Sequence, residues 1–162
     1  MGRMENGALD LDPGRLLPHA CWMQRALGID TGDARIGLAL SDELRMLAHP
    51  FESVPAGRGA LERIASVVRE KTVDTLVVGL PKNMNGTKGP AALKAEAFAE
   101  SLHALVPEVK IVLWDERLTT VAAQRALHEA GRNTKQSRAV IDQVAAQLIL
   151  QGWLDSQAFL AQ

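Results

Sequence analysis

The stretch from Arg25 to Asp42 constrains this chain more than any other. An apolar run of Ala26, Leu27 and Ile29, the kind that fills a buried strand, delivers a carboxylate, Asp30. A glycine-containing turn follows at once, then a second alternating apolar run of Ile36, Leu38 and Leu40, so the segment predicts a β-hairpin. A carboxylate at the end of a central strand, between small residues, is poorly placed for packing and well placed to hold a metal ion or meet a phosphate. Downstream segments then read as suppliers of partners for Asp30.

Leu47 to Pro55 alternates apolar residues around Pro50, which lacks a ladder donor, and so predicts a third strand at a sheet edge. Ala60 to Lys71 places Leu61, Ile64, Ala65, Val67 and Val68 at helical spacing, an amphipathic helix to cover the sheet. Val73 to Leu80 is a nearly continuous apolar, β-branched run, the pattern of a buried parallel strand. A loop rich in glycine and asparagine follows, from Pro81 to Pro90, and then a helix over Ala91 to Val106 with Pro90 in its first turn. Lys110 to Leu113 predicts a last strand, which delivers Trp114, Asp115, Glu116 and Arg117. Thr119 or Thr120 caps a helix to about Ala130, a basic loop spans Gly131 to Arg138, and a final helix runs from Ala139 to about Gln157. An antiparallel meander followed by strands alternating with helices predicts one α/β domain around a five-stranded mixed sheet.

The 162 residues suit a single domain, expected over 25–157, with a loose N-terminal tail over 1–24 and a short C-terminal tail over 158–162. Met1 to Gln24 shows no sustained periodicity and no apolar core of the signal-peptide kind, and Met23 stands close to the expected start of the fold. A net charge of -1 argues against non-specific coating of nucleic acid, though it leaves room for a local basic rim. One cysteine, Cys21, excludes an intrachain disulfide framework and a cysteine zinc cluster, which makes a reducing cytoplasm the expected setting. No apolar stretch approaches the roughly 20 residues that span a bilayer, so no membrane partner is expected.

Three carboxylates stand out by position: Asp30, Glu116 at the end of the last strand, and Asp142 on an apolar face near the start of the final helix. Ligands of open α/β sheets bind at the carboxyl ends of the strands, so Asp30 and Glu116 share a cleft if their strands are neighbours. A charge among Val140, Ile141, Val144 and Ala145 is costly unless paired, and Ala145 and Ala146 allow close approach to the sheet. Each acid also has an ordinary structural reading: Asp30 as a turn-maker, Glu116 as half of a surface ion pair, Asp142 as a partner of Arg138. Asp115 rivals Glu116, since only one of the two adjacent acids faces the cleft. Together, three converging acids repel one another unless a cation sits among them. Oxygen-only ligation suits Mg²⁺ or Mn²⁺, and the favoured chemistry is metal-assisted phosphodiester cleavage. Lys82, Asn83, Asn85 and Lys88 in the glycine-rich loop, with Arg35, Arg117, Arg132, Lys135 and Arg138, supply a basic rim and close backbone approach for substrate phosphate.

Gly28 to Gly32 with Arg35 to Asp42, Val78 to Pro81 with Asn83 to Thr87, Asp115 to Thr120, and Asp142 with Ala145, Ala146 and Ile149 to Gln151 resemble, in order, the four motifs of the YqgF (RuvX) family. The resemblance covers about Arg25 to Asp155. It implies a ribonuclease-H-like fold and a nuclease, described for the family as a Holliday junction resolvase and as the enzyme that matures the 5′ end of pre-16S ribosomal RNA. The family's acidic triad falls on Asp30, Glu116 and Asp142. Two departures alter charge beside the substrate path: Ala34 stands where the family commonly has Lys, and Asn85 where it has Asp.

The function expected is a divalent-metal nuclease acting on nucleic acid, with the ribosome precursor as the favoured substrate and branched DNA as the alternative. A junction resolvase must engage two strands symmetrically and therefore requires a homodimer. An ATP-dependent phosphotransferase with a similar opening hairpin needs a second facing domain, which this length does not supply. A non-catalytic nucleic-acid-binding module has no use for all three acids.

Overall fold

The hairpin forms as its alternation predicts. Strand β1 (Arg25–Thr31) pairs antiparallel with β2 (Arg35–Ser41), with Leu27 opposite Leu40 and Asp30 opposite Gly37. Strand β3 (Ala48–Pro55) joins β2 as the edge strand, with a register shift between Leu38 and Ala39 where Pro50 enters the ladder without a donor. The computed structural model describes residues 24–118, 125, 128–129 and 138–160. The expected tail up to Met23, the Thr119 or Thr120 cap and most of its helix, and Arg132 and Lys135 lie outside the described residues.

Helix α1 (Ala60–Glu70) leads to β4 (Val73–Leu80), which inserts beside β1 in parallel. Helix α2 (Pro90–Leu105) begins with its proline in the first turn and returns the chain to β5 (Lys110–Asp115), parallel to β4. The sheet order is β3-β2-β1-β4-β5. Strand β5 runs two residues beyond the expected Leu113, because Trp114 and Asp115 continue the ladder opposite Gly79 and Leu80. A short 3₁₀ turn, Glu116–Leu118, follows. Helix α3 (Arg138–Leu160) starts one residue earlier and ends three later than the periodicity indicates, since nothing between Ser156 and Leu160 breaks a helix.

Strand alternation sends residues to two unlike faces. Toward α1 and α2 point Leu27, Ile29, Ile36, Leu38, Leu76 and Val78, which bury a large aliphatic core with Ile64, Val67, Ala95 and Leu102. Toward α3 point Ala26, Ala39 and Val77, packed on Ala146, Ile149, Leu150 and Trp153. Two glycines let α3 lie directly on that second face. A Cβ at Gly28 would stand 2.6 Å from the Leu150 Cβ and 2.8 Å from the Ala146 carbonyl oxygen, and one at Gly37 would run into the Asp142 backbone carbonyl. Glutamines of α3 then fasten the edge: Gln151 Oε1 accepts from the Ala48 amide at 2.8 Å, and Gln147 Nε2 donates to the Ala48 carbonyl at 3.0 Å. These bonds occupy backbone groups at the start of an edge strand.

Candidate active site

The α3 face gathers the three acids. On β1, Asp30 follows Ala26 and Gly28 by strand parity. On β2, Arg35 precedes Gly37 and Ala39 in the same way. Beyond β5, Glu116 continues the parity of Val112 and Trp114, which pack toward α3. Asp142 is on α3 itself, one turn into the helix, and its backbone rests on Gly37. The strands bearing Asp30 and Glu116 are not neighbours as the cleft argument required, because β4 lies between β1 and β5.

Asp30 and Glu116 nonetheless interact. Burial, and then the charge of Asp142, pushes the Asp30 carboxyl up to about 6. Glu116 is pushed up to about 7, first by burial and then by the charges of Asp30 and Asp115. Asp115 behaves oppositely. The Arg117 fork grips its two oxygens, with Nη2 at 2.7 Å from Oδ2, and holds it below the usual carboxylate range. The rivalry between the two neighbouring acids is thus resolved by parity: Glu116 turns inward and Asp115 pairs at the surface.

Asp142 has a partner that local spacing does not indicate. Arg35 Nε donates to its Oδ2 at 2.8 Å across 107 residues of sequence, whereas Arg138, the i−4 candidate, is exposed. With Asp142 drawn to Arg35, no three His, Cys, Asp or Glu side chains among the described residues form a ready-made metal cage. The donor set itself suits a hard divalent cation: burial first, and then the charge of Asp142 on Asp30 and of Asp30 on Glu116, keeps protons on the two acids, and a cation among them would offset both the desolvation and the repulsion.

The loop after β4 is closed by a bridge between Lys82 and Lys88 and turns at Gly86, whose φ of 84° favours glycine. Its asparagines brace the loop. Asn85 Oδ1 accepts from the Thr87 amide at 3.0 Å and from the Thr87 hydroxyl, and Asn83 Nδ2 donates to the Thr87 hydroxyl at 2.9 Å. Lys88 pairs with Glu96, and Arg117 with Asp115 and within reach of Gly86, so the loop and the 3₁₀ turn meet. Lys82 lies close enough to lower the Asp115 pKa. A groove of about 710 Å³ between α2 and β5 is lined by Glu96, Glu100, His103 and Glu108 and contains none of the three acids.

A family profile described as "RuvX: Holliday junction resolvase" matches residues 24–156. The chain belongs to the RuvX family. It is a nuclease, a hydrolase of phosphodiester bonds. A relative from Nocardia farcinica named "Putative pre-16S rRNA nuclease" is 48% identical over 155 residues, covering 91% of this chain and 82% of its own. One of the same name from Bacillus mycoides is 44% identical over 137 residues, covering 82% of this chain and 99% of its own. Among solved structures, Thermus thermophilus RuvC in complex with a Holliday junction substrate aligns with a TM-score of 0.52 at 15% identity, over 82% of this chain and 96% of that one. Fowlpox virus resolvase aligns with a TM-score of 0.53 at 8% identity, over 83% and 99%. At these identities the structural likeness bears on fold, and the fold is the ribonuclease-H-like one that the motifs imply.

Proposed function

We propose that this RuvX protein is a divalent-metal nuclease that trims the 5′ end of precursor 16S ribosomal RNA in the cytoplasm, with Asp30, Glu116 and Asp142 as its catalytic acids. The observation that carries the reading is the convergence of three acids on the α3 face of the sheet: Asp142 lies close enough to help burial raise Asp30 to about 6, and Asp30 close enough to help burial raise Glu116 to about 7. Acids raised by burial and by neighbouring acids on one face are what a cation-holding site requires. Asp30 and Glu116 would hold Mg²⁺ or Mn²⁺, with Asp142 completing the set. The ion's contribution is to lower the pKa of a bound water and to stabilise the leaving oxygen.

The remaining roles belong to side chains of this chain. Arg35 keeps Asp142 oriented through Nε and leaves the rest of its fork to meet a substrate phosphate. Lys82, Lys88 and the braced loop of Asn83 and Asn85 offer backbone amides and charge to the nucleic-acid strand, and Arg117 and Arg138 extend that rim. RNA is favoured over junction DNA because the relatives at 44–48% identity carry the rRNA nuclease name, while likeness to the solved resolvases reaches 15% at most among those compared above. The family description supports the second reading, a junction resolvase, which would act as a homodimer.

The test is cleavage of two labelled substrates, an RNA spanning the 5′ leader of 16S rRNA and a four-way DNA junction, with Mg²⁺ or Mn²⁺, by wild type and Asp30→Asn. Cleavage of the RNA by wild type alone supports the proposal. Symmetric nicking of the junction instead selects the resolvase, and cleavage surviving Asp30→Asn overturns the assignment of the acids.

A further inference from the structure

Strand β4 separates the two acids, and parallel strands stand roughly 4.8 Å apart, so β1 and β5 are about two strand spacings from each other. The ladder pairs Ile29 with Val78 on one side of β4 and Gly79 with Trp114 on the other, which puts Gly79 level with Asp30 and just before Glu116. Gly79 has no positive φ, so its backbone is open to any residue, and a glycine in a strand interior is otherwise unfavourable. Space is the remaining reason for it. A Cβ there would stand 2.5 Å from Ile149 Cδ1, 3.0 Å from Glu116 Oε2 and 3.2 Å from Glu116 Cδ. Gly28 and Gly37 make room for the helix, whereas Gly79 makes room for a carboxylate as well.

We propose that Gly79 is a positioning residue for Glu116: its missing side chain is the opening across β4 through which the Glu116 carboxylate reaches Asp30. The inference rests on the reading of Asp30 and Glu116 as the ion-holding pair. Any larger residue at position 79 pushes two things at once, the tip of Ile149 in the core and the carboxylate. The two effects separate, because valine at position 149 lacks the Cδ1 that clashes while the carboxylate stays where it was.

The experiment compares Ile149→Val, Gly79→Ala/Ile149→Val and Glu116→Gln with wild type. One readout is the rise in melting temperature with Mn²⁺ alone, and the other is kcat and KM on the substrate that wild type cuts. Gly79→Ala/Ile149→Val is expected to melt within a few degrees of Ile149→Val without metal, to lose at least half of the Mn²⁺-induced rise, and to lose about tenfold in kcat with KM changed less than twofold. A double variant matching Ile149→Val in both the Mn²⁺ response and kcat, while Glu116→Gln has lost both, overturns the role of Gly79 and leaves the site intact. Full Mn²⁺ response and activity in Glu116→Gln overturns the site reading and the inference with it. Should Gly79→Ala/Ile149→Val fold poorly, Gly79→Ala/Ile149→Ala gives more room. The added change Glu116→Asp then provides a cycle: withdrawing the carboxylate by one methylene must cost less in the Gly79→Ala background than where Gly79 is kept, and equal losses sink the proposal.

Discussion

The two faces of this sheet are made of the same five strands and do opposite things. Facing α1 and α2, Leu27, Ile29, Leu38, Leu76 and Val78 fill space, and the face is held by the apolar area it removes from water. Facing α3, Gly28, Gly37, Gly79 and several alanines leave space, and α3 comes down onto the backbone itself. The first face stabilises through bulk; the second brings Asp30, Arg35, Glu116 and Asp142 within reach of one another through the absence of bulk. Bulk and the placement of the acids are therefore divided between alternate residues of single strands.

Substitutions on the two faces test that division. The largest effect is expected from Asp30→Asn, with a loss of at least a thousandfold in kcat under saturating Mn²⁺. The same variant gains stability without metal at pH 8. Asp30 has a raised folded pKa of about 6, so its folded state binds the proton more tightly than the unfolded chain, and stability falls as pH rises from about 4 through 6. Asparagine removes that loss, by about 1–2 kcal/mol at pH 8 and not at all below about pH 3.5, measured by denaturant melts at both values. Next, Leu76→Ala on the bulky face is expected to cost about 2–5 kcal/mol of stability while leaving kcat within about threefold at a temperature where the fold holds. Gly37→Ala on the open face is expected to cost about 1–3 kcal/mol and at least tenfold in kcat, since the backbone of Asp142 must move. Equal kcat in those two variants would break the comparison. Arg35→Gln should cost about 1–2 kcal/mol by leaving Asp142 without its charged partner, and added Mn²⁺ should recover part of it, read as melting shifts with and without the ion. The smallest effect belongs to Glu52→Gln, which breaks the pair with Arg63 on the α1 side. Water reaches both groups and screens their attraction, so a melting temperature within about 3 °C of wild type and unaltered activity are expected.

Much of the fold was legible because its signals are local. The β-branched run ending at Leu80 could only be a buried strand, Pro50 could only stand at an edge, and Pro90 marked the start of α2. The three acids were legible as positions, at the ends of strands and on an apolar helical face. Their relation was not, because it depends on strand order: hydrophobic patterning does not say that β4 inserts between β1 and β5. Nor does spacing on α3 reveal Arg35 as the partner of Asp142, when Arg138 stands one turn away on the same helix. One signal was present and went unused. Val112, Trp114 and Glu116 are spaced by two, and Glu116, the first residue beyond the strand, keeps the side of Val112 and Trp114 toward the helix.

The order of the elements along the chain also sets an order in time. Synthesis delivers all five strands before α3, so Asp30 and Glu116 are made before the helix that covers the glycine face and carries Asp142. The glutamine clamps on Ala48 also require that helix, since Gln147 and Gln151 both lie on it. A copy that lacks α3 lacks Asp142 and the cover of that face together, so the three acids meet only in the completed fold.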